Sequence, residues 1–518
     1  MPEIILTTLN AKYIHTAFGL RYLLANLGEL QPKACIIEFD IHQRPIDIAE
    51  MLLAQNPRII GFGIYIWNVK QSEEVIATIK RVRPGVTVIL GGPEVSYETE
   101  DQPIVKLADH VILGEADFKF GELCAQILEN PASAESADNR LPPKIIPAEL
   151  PEFSRLAFPY SFYDTKDIAH RVIYVEASRG CPFTCEFCLS SLDIPVRQAP
   201  LQPFLCEMQK LLDRGVRQFK FVDRTFNLNL AVSSAILKFF RERHSLGNFY
   251  HFELIPDRLP DALCEIIAGF PPGSLQFEVG IQTFNPEVAD LIRRRQNYDK
   301  LDDNLRFLRN ETSVHIHADL IVGLPGETLD SFAAGFDRLI ALRPHEIQVG
   351  ILKRLRGTPI VRHDGKWEMT YNSCPPYEIL QNKLIDFSTM QRLRRFARYW
   401  DLVGNSGNFV ETAPLIWLRS GSPFAAFLHW SDWLYSRSGR ADGIALPRLM
   451  EWLFEYLTTE PKLDKIGTAE TLWRDYSRSG RRDKPIFLRQ YLFSEDKPPS
   501  PRRSVTLPKR QARHLATG

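Results

Sequence analysis

Near the N-terminus, short continuous apolar runs alternate with segments whose apolar residues recur every three to four positions. The runs at 4–9, 35–39, 59–67, 86–90 and 111–113 predict buried strands, and the periodic segments at 16–27, 46–54, 69–82 and 120–128 predict helices. Apolar strands alternating with helices define a parallel, doubly wound (Rossmann-like) α/β sheet. A second alternating series places strands at 171–176, 219–222, 250–254, 275–279, 316–321 and 346–351. Six strand–helix units fall short of an eight-fold barrel and suit a partial (β/α)6 TIM-type barrel. Between the two series, 130–151 is rich in Pro, Ala, Ser and Asn and reads as an exposed linker. Beyond about residue 366 the pattern turns helix-rich and aromatic, with Trp400, Trp417, Trp430, Trp433, Trp452 and Trp473. The Pro- and Arg-rich end is expected to be disordered. The expected domains are 1–135, a linker at 136–168, 169–360, 361–494 and a tail at 495–518.

The 518 residues carry 63 Lys+Arg against 63 Asp+Glu, so the chain as a whole is not drawn to nucleic acid or anionic membrane, and no nucleic-acid partner is expected. The short basic stretch around Arg502, Arg503, Lys509, Arg510 and Arg513 does not change that expectation. No run reaches the apolar length of a membrane span, and the opening Met1-Pro2-Glu3-Ile4-Ile5-Leu6 lacks the basic start of a signal peptide. A cytoplasmic protein is the expectation. Eight cysteines should then be reduced, and most should be small buried hydrophobes.

Three of them are clustered: Ser178-Arg179-Gly180-Cys181-Pro182-Phe183-Thr184-Cys185-Glu186-Phe187-Cys188. The cluster follows a strand end, where α/β folds place their chemistry. Structural zinc wants a fourth Cys or His, and none lies nearby in sequence. Thioredoxin-type exchange at Cys185 and Cys188 leaves Cys181 without a role. A [4Fe–4S] cluster on three thiolates keeps one iron open for a substrate or cofactor, and this reading accounts for all three residues.

The spacing Cys181-x3-Cys185-x2-Cys188, with Phe187 before the last cysteine, resembles the signature of the radical S-adenosylmethionine (SAM) superfamily. The resemblance implies that SAM chelates the open iron and that one-electron reduction cleaves it to methionine and a 5′-deoxyadenosyl radical. It also implies SAM contacts from Phe187, Asp223, Glu253, Glu278, Gln282 and Gly323. On an ordinary structural reading Asp223 would cap a helix and Gly323 would serve a turn.

The N-terminal sheet lacks G-x-G-x-x-G after its first strand, which argues against a dinucleotide. Followed by such a barrel, it resembles the cobalamin-binding domain of the B12-dependent branch. Its strand-end residues Asn10, His15, Trp67, Gly91, Gly92, Pro93, Gly114 and Glu115 are the implied cobalamin contacts. Asp40-Ile41-His42-Gln43-Arg44-Pro45 departs from the family's Asp-x-His-x-x-Gly, so His42 reads as a loop residue and the lower cobalt face has no assigned ligand; Tyr65 or Trp67 would shield it. The resemblance implies a cobalamin-dependent radical SAM methyltransferase acting on an unactivated carbon, with a flavodoxin or ferredoxin as electron donor. The alternatives are a non-methylating radical rearrangement and a non-catalytic sensor. A methylthiotransferase, which carries a second cluster on three N-terminal cysteines, fits poorly, because only Cys35 and Cys124 precede Cys181. The C-terminal tryptophans are expected to form a small core of their own.

Overall fold

A computed structural model describes residues 1–129, 142–478, 480–492 and 508–515. The chain forms two compact units. The first comprises Met1–Arg224, Lys353–Pro359 and Asn372–Tyr377. The second comprises Thr225–Leu352, Ile360–Tyr371 and Glu378–Gly518.

In the first unit, β1 (Ile4–Asn10), β2 (Ala34–Asp40), β3 (Ile59–Gly63), β4 (Thr87–Gly91), β5 (His110–Leu113) and β6 (Ile145–Pro147) form one sheet in the order β2-β1-β3-β4-β5-β6. All pairs are parallel. The helices are α1 (Phe18–Ala25), α2 (Pro45–Ala54), α3 (Val69–Val82), α4 (Pro103–Leu107) and α5 (Lys119–Glu129). One face of the sheet buries Ile48, Leu52, Val75, Ile76 and Ile79 of α2 and α3. The other buries Leu20, Leu24, Phe120 and Leu123 of α1 and α5. The strands are apolar on both faces because both are covered.

Three local features differ from the sequence expectation. The third strand was expected over 59–67 but ends at Gly63. The fully buried Asn68 side chain pulls the chain out of the strand: its Oδ1 accepts the Tyr65 amide at 2.8 Å. Its Nδ2 donates to Leu9 O at 3.1 Å and Gly63 O at 3.1 Å. Residues 145–147, expected within the linker, supply the sixth strand; the rest of that linker, 130–141, lies outside the described residues. In the expected tail, Lys509–Leu515 is a helix, and the remainder lies outside the described residues apart from Pro508.

The second strand series begins in the first unit with β7 (Ile173–Val175), which pairs in parallel with β10 (Gln218–Phe221). Helix α6 (Thr165–His170) precedes β7; between β7 and β10 lie the antiparallel pair β8 (Ser178–Arg179) and β9 (Arg197–Gln198), and α7 (Leu201–Asp213). In the second unit β11 (Phe249–Leu254), β12 (Leu275–Gln282), β13 (His315–Val322) and β14 (Glu346–Ile351) pair in parallel in that order. Helices α8 (Leu230–Glu242), α9 (Asp261–Ala268), α10 (Pro286–Leu291), α11 (Tyr298–Glu311) and α12 (Leu329–Leu342) follow the strands in turn. In chain order β7 and β10–β14 are the six strand units of an incomplete barrel.

The C-terminal part has the short α13 (Asp364–Trp367), a small hairpin of β15 (Thr370–Tyr371) and β16 (Ile379–Gln381), then α14 (Phe387–Val403), α15 (Pro423–Ser438), α16 (Leu446–Thr459), α17 (Lys465–Arg478) and α18 (Lys509–Leu515). Phe396, Trp400, Phe427 and Trp430 stack in an aromatic core. Phe336 of α12 packs edge-on against Phe396 and Trp400, so these tryptophans join the helical layer of the barrel instead of forming the separate core expected of them. Among the described residues no helix is long and apolar enough to cross a membrane.

Candidate functional site

The cysteine loop leaves β8 and returns through β9, so its two ends are clasped together. Gly180 makes the entry: its φ is +87°, and a Cβ there would stand 2.8 Å from Asp193 O. The Cys181 amide donates to that same carbonyl at 3.0 Å. Cys181 and Cys185 are buried and Cys188 is half-buried, and none of the three is in a disulfide. Phe187 is half-buried and Glu186 fully buried. Among the described residues no three His, Cys, Asp or Glu converge as ligands of a single metal ion. That does not bear against a cluster, whose thiolates each bind a different iron.

The base of the loop is held by two arginines. Arg179 reaches Glu176 at 2.8 Å, Glu115 at 2.8 Å and Asp117 at 2.9 Å, and its guanidinium lies 4.4 Å over the Tyr22 ring. Arg197 reaches Glu115 at 2.5 Å and Asp193 at 2.8 Å. Glu115, at the carboxyl end of β5, therefore ties the sheet to both ends of the cysteine loop. Burial pushes the Glu176 carboxyl up, against the opposing pull of Arg179. Asp223 sits after β10, buried, and accepts the Ser178 hydroxyl at 2.6 Å and the Ala177 amide at 3.0 Å. Burial outweighs these hydrogen bonds and lifts its pKa to about 7.

At the sheet, the strand order places the switch point between β1 and β3, where doubly wound folds bind ligands. There Tyr65 and Trp67 stack at 4.5 Å with their planes 5° apart, and Trp67 is 43% exposed. Trp67 Nε1 donates to Leu9 O at 3.2 Å. A cavity of about 280 Å³ runs along the ends of β3, β4 and β5 and is lined by Gly63, Tyr65, Gly91, Gly92, Gly114 and Glu115, among others. Glycine is required at Gly92, where φ is +107° and a Cβ would meet Ile64 O at 2.5 Å. Of the implied cobalamin contacts, Gly91, Gly92, Gly114 and Glu115 share this cavity, whereas Asn10, His15, Trp67 and Pro93 do not line it. Asn10 donates to Glu38 at 2.6 Å, and His15 Nδ1 lies 2.7 Å from the Tyr174 hydroxyl. His42 is exposed in a loop, its amide on Asp40, as expected. A glycine-lined apolar slot beside a flat aromatic pair fits the planar apolar parts of a corrinoid.

The second unit holds the other implied SAM contacts. Cross-strand register lines up Glu253, Glu278, His317 and Glu346 in one row over β11–β14. Glu278 bonds His251 Nε2 at 3.0 Å, and His317 Nε2 lies 3.3 Å from Asp319. Burial pulls His317 down, but Asp319, Glu346 and Glu278 outweigh it and raise its pKa to about 9. Gln282 has φ +73° beside a bulge at Gly280. Gly323 has φ +88°, its carbonyl accepts Asn382 Nδ2 at 3.3 Å, and a Cβ there would stand 2.7 Å from Ile379 Cγ2. Sequence reading missed His251, His317, Asp319 and Glu346. The period-two pattern His315-Ile316-His317-Ala318-Asp319 carried a signal for two of them.

Three family matches cover most of the chain: a B12 binding domain over residues 4–123, the Radical SAM superfamily over 175–339, and a protein of unknown function (DUF4080) over 365–502. The chain belongs to the B12-binding-domain-containing radical SAM proteins with a C-terminal domain of unknown function. Its domains call for a [4Fe–4S] cluster, SAM and cobalamin. Ribosomal protein uS12 methylthiotransferase RimO of Pelobacter propionicus is 26% identical over 194 residues, covering 36% of this chain and 43% of that protein. The chain thus spans less than half the length of that curated relative. An uncharacterized methyltransferase of Pyrococcus horikoshii, PH0819, is 23% identical, covering 56% of this chain and 65% of that one. Among solved structures, the radical SAM methyltransferase TsrM of Kitasatospora setae, with cobalamin and [4Fe–4S] cluster bound, is similar at TM-score 0.56 and 17% identity, covering 73% of this chain and 82% of that chain. The cobalamin-dependent SAM radical enzyme OxsB is similar at TM-score 0.59 and 13% identity, covering 92% of this chain and 79% of that chain. These likenesses establish the fold.

Proposed function

We propose that the protein is a cobalamin-dependent radical SAM methyltransferase that methylates an unactivated carbon of a small-molecule substrate. The observation that carries this reading is Glu115, which joins the ligand end of a B12-type sheet to both arginines at the base of the three-cysteine loop. When bound, the cluster supplies an electron to SAM and the corrinoid supplies the methyl group. The thiolates of Cys181, Cys185 and Cys188 hold the cluster, and Gly180 and the β8–β9 clasp fix where they point. Glu253 and Glu278 are acceptors for the amino and ribose hydroxyl groups of SAM, with Phe187, Gln282 and Gly323 as further contacts. The Tyr65–Trp67 pair and the glycine-lined slot take the corrinoid. The electron comes from a flavodoxin or ferredoxin, in the cytoplasm.

The two cysteines that precede the cluster do not supply a second cluster site: Cys124 is fully buried in α5, and Cys35 lies within β2. Both thiols are pushed up by burial. This favours methyl transfer over methylthio transfer.

The test is anaerobic reconstitution of the full chain, with iron, sulfide and corrinoid analysis. About four irons per chain and a corrinoid are expected, together with 5′-deoxyadenosine on reduction with SAM and transfer of labelled methyl to product. Zinc in place of iron would overturn the reading. 5′-Deoxyadenosine without label transfer would assign radical rearrangement instead.

A further inference from the structure

A second cavity, of about 690 Å³, lies wholly in the second unit, between the last barrel strand and the helical region. Its walls include Gln348 of β14, His317 of β13, Gln391, Arg394, Arg395 and Arg398 of α14, Tyr435 of α15, Arg440, and Arg510 of α18. The lining is more polar than apolar and rich in arginine. Three of these arginines are committed. Arg394 pairs with Glu378 at 2.8 Å, and Arg398 pairs with Asp442 at 2.7 Å and Asp401 at 3.3 Å. Arg510 pairs with Glu346 at 3.2 Å and with Asp401.

Arg395 and Arg440 are different. Among the described residues neither has a carboxylate partner. The Arg395 guanidinium lies 4.2 Å over the Tyr435 ring, which fixes its plane. Its Nε is buried with no hydrogen-bond partner among the described residues, and so is Gln391 Nε2 on the same wall. Buried donors without acceptors are costly, and a planar guanidinium held on a ring presents a fork matched to carboxylate or phosphate oxygens.

From this surplus of donors and positive charge we infer that the cavity is a binding site for a small organic anion rich in carboxylate or phosphate oxygens. Arg395 and Arg440 neutralise it, and Gln391 donates to it. The inference rests on the cavity alone and stands whether or not the radical reading holds. Carboxylate and phosphate share the recognition chemistry, so two probes separate them.

Calorimetric titration of the full chain with pyrophosphate in one arm and citrate in the other is the test. One of them should saturate a single site in the submillimolar range. The double variant Arg395→Gln/Arg440→Gln should weaken that binding about tenfold or more, as expected for losing hydrogen bonds from charged donors. Arg395→Lys/Arg440→Lys, which keeps the charge but loses the fork, should fall between. Arg437→Gln, in the last turn of α15 but paired with Glu455 and outside the cavity wall, should bind as the parent does. Near-ultraviolet circular dichroism reports the fold of each variant, and the Lys pair carries the comparison if the Gln pair does not fold. No saturation by either probe, or binding undiminished in both double variants, overturns the inference.

Discussion

The Asp223 carboxylate accepts the hydroxyl of Ser178 at 2.6 Å, three residues before the first cysteine of the cluster loop. Together with the Ala177 amide at 3.0 Å, this fixes the strand from which the loop departs. Asp223→Ala removes both acceptors from a buried site and should destabilise the first unit by about 3 kcal/mol. Asp223→Asn keeps one acceptor oxygen and should cost less. Urea unfolding and iron content after reconstitution, measured on both variants, check this. Two variants indistinguishable from the parent would contradict the role.

Arg179 is the sole arginine that reaches Glu115, Asp117 and Glu176 together among the described residues. Arg179→Met keeps the packing against Tyr22 but leaves Glu176 buried without its counter-charge. A loss of about 3 kcal/mol follows from breaking a buried pair on one side. Glu176 already has its carboxyl pushed up by burial, and losing Arg179 pushes it further. The penalty should therefore grow as pH rises, because the unfolded chain then gains by ionising a group that the fold keeps protonated. Urea midpoints at mildly acidic and mildly alkaline pH measure it.

At Gly92 any side chain meets both a positive φ and the Ile64 carbonyl. Gly92→Ala should cost roughly 2 kcal/mol or more and reduce corrinoid retention. Gly85→Ala is the matched control, since a Cβ there meets nothing within 4 Å. Thermal unfolding of the pair should separate them by several degrees.

Glu327 is buried, with Oε1 accepting Thr283 at 2.8 Å and Ser331 at 3.1 Å. Burial, opposed by these two hydrogen bonds, raises its pKa to about 7 from the ordinary carboxylate range. A raised acid contributes stability that is present at low pH and is lost as pH rises through the folded value. Glu327→Gln should flatten the pH dependence of stability between about pH 4 and pH 8, removing a slope worth about 3 kcal/mol in all. An unchanged slope in urea titrations would rule this out.

Much of this architecture is legible in the sequence, and the failures have physical causes. The strands of the first sheet are covered on both faces, so they read as continuous apolar runs, and the α3 boundaries match the expected 69–82. The third strand stops early because the Asn68 side chain competes for backbone groups, which apolar periodicity does not register. The sixth strand is three residues beside a Pro- and Ser-rich stretch and, among the described residues, pairs with β5 at the edge of the sheet. The three cysteines announced themselves by spacing. Asp223 was visible as a strand-end acid, but its bonds run to Ala177 and Ser178, and that depends on which strands pair. The row of Glu253, Glu278, His317 and Glu346 exists only through cross-strand register, since its members are spread over nearly a hundred positions.

Seven of the eight tryptophans lie beyond residue 366, and Trp67 is the one that precedes it. Because Trp67 stands exposed on Tyr65 at the switch point of the sheet, its indole emission is a built-in optical gauge. A corrinoid, which absorbs in the near ultraviolet and visible, would quench that emission on docking there, and Trp67→Phe would remove that response while leaving the tryptophans of the second unit in place.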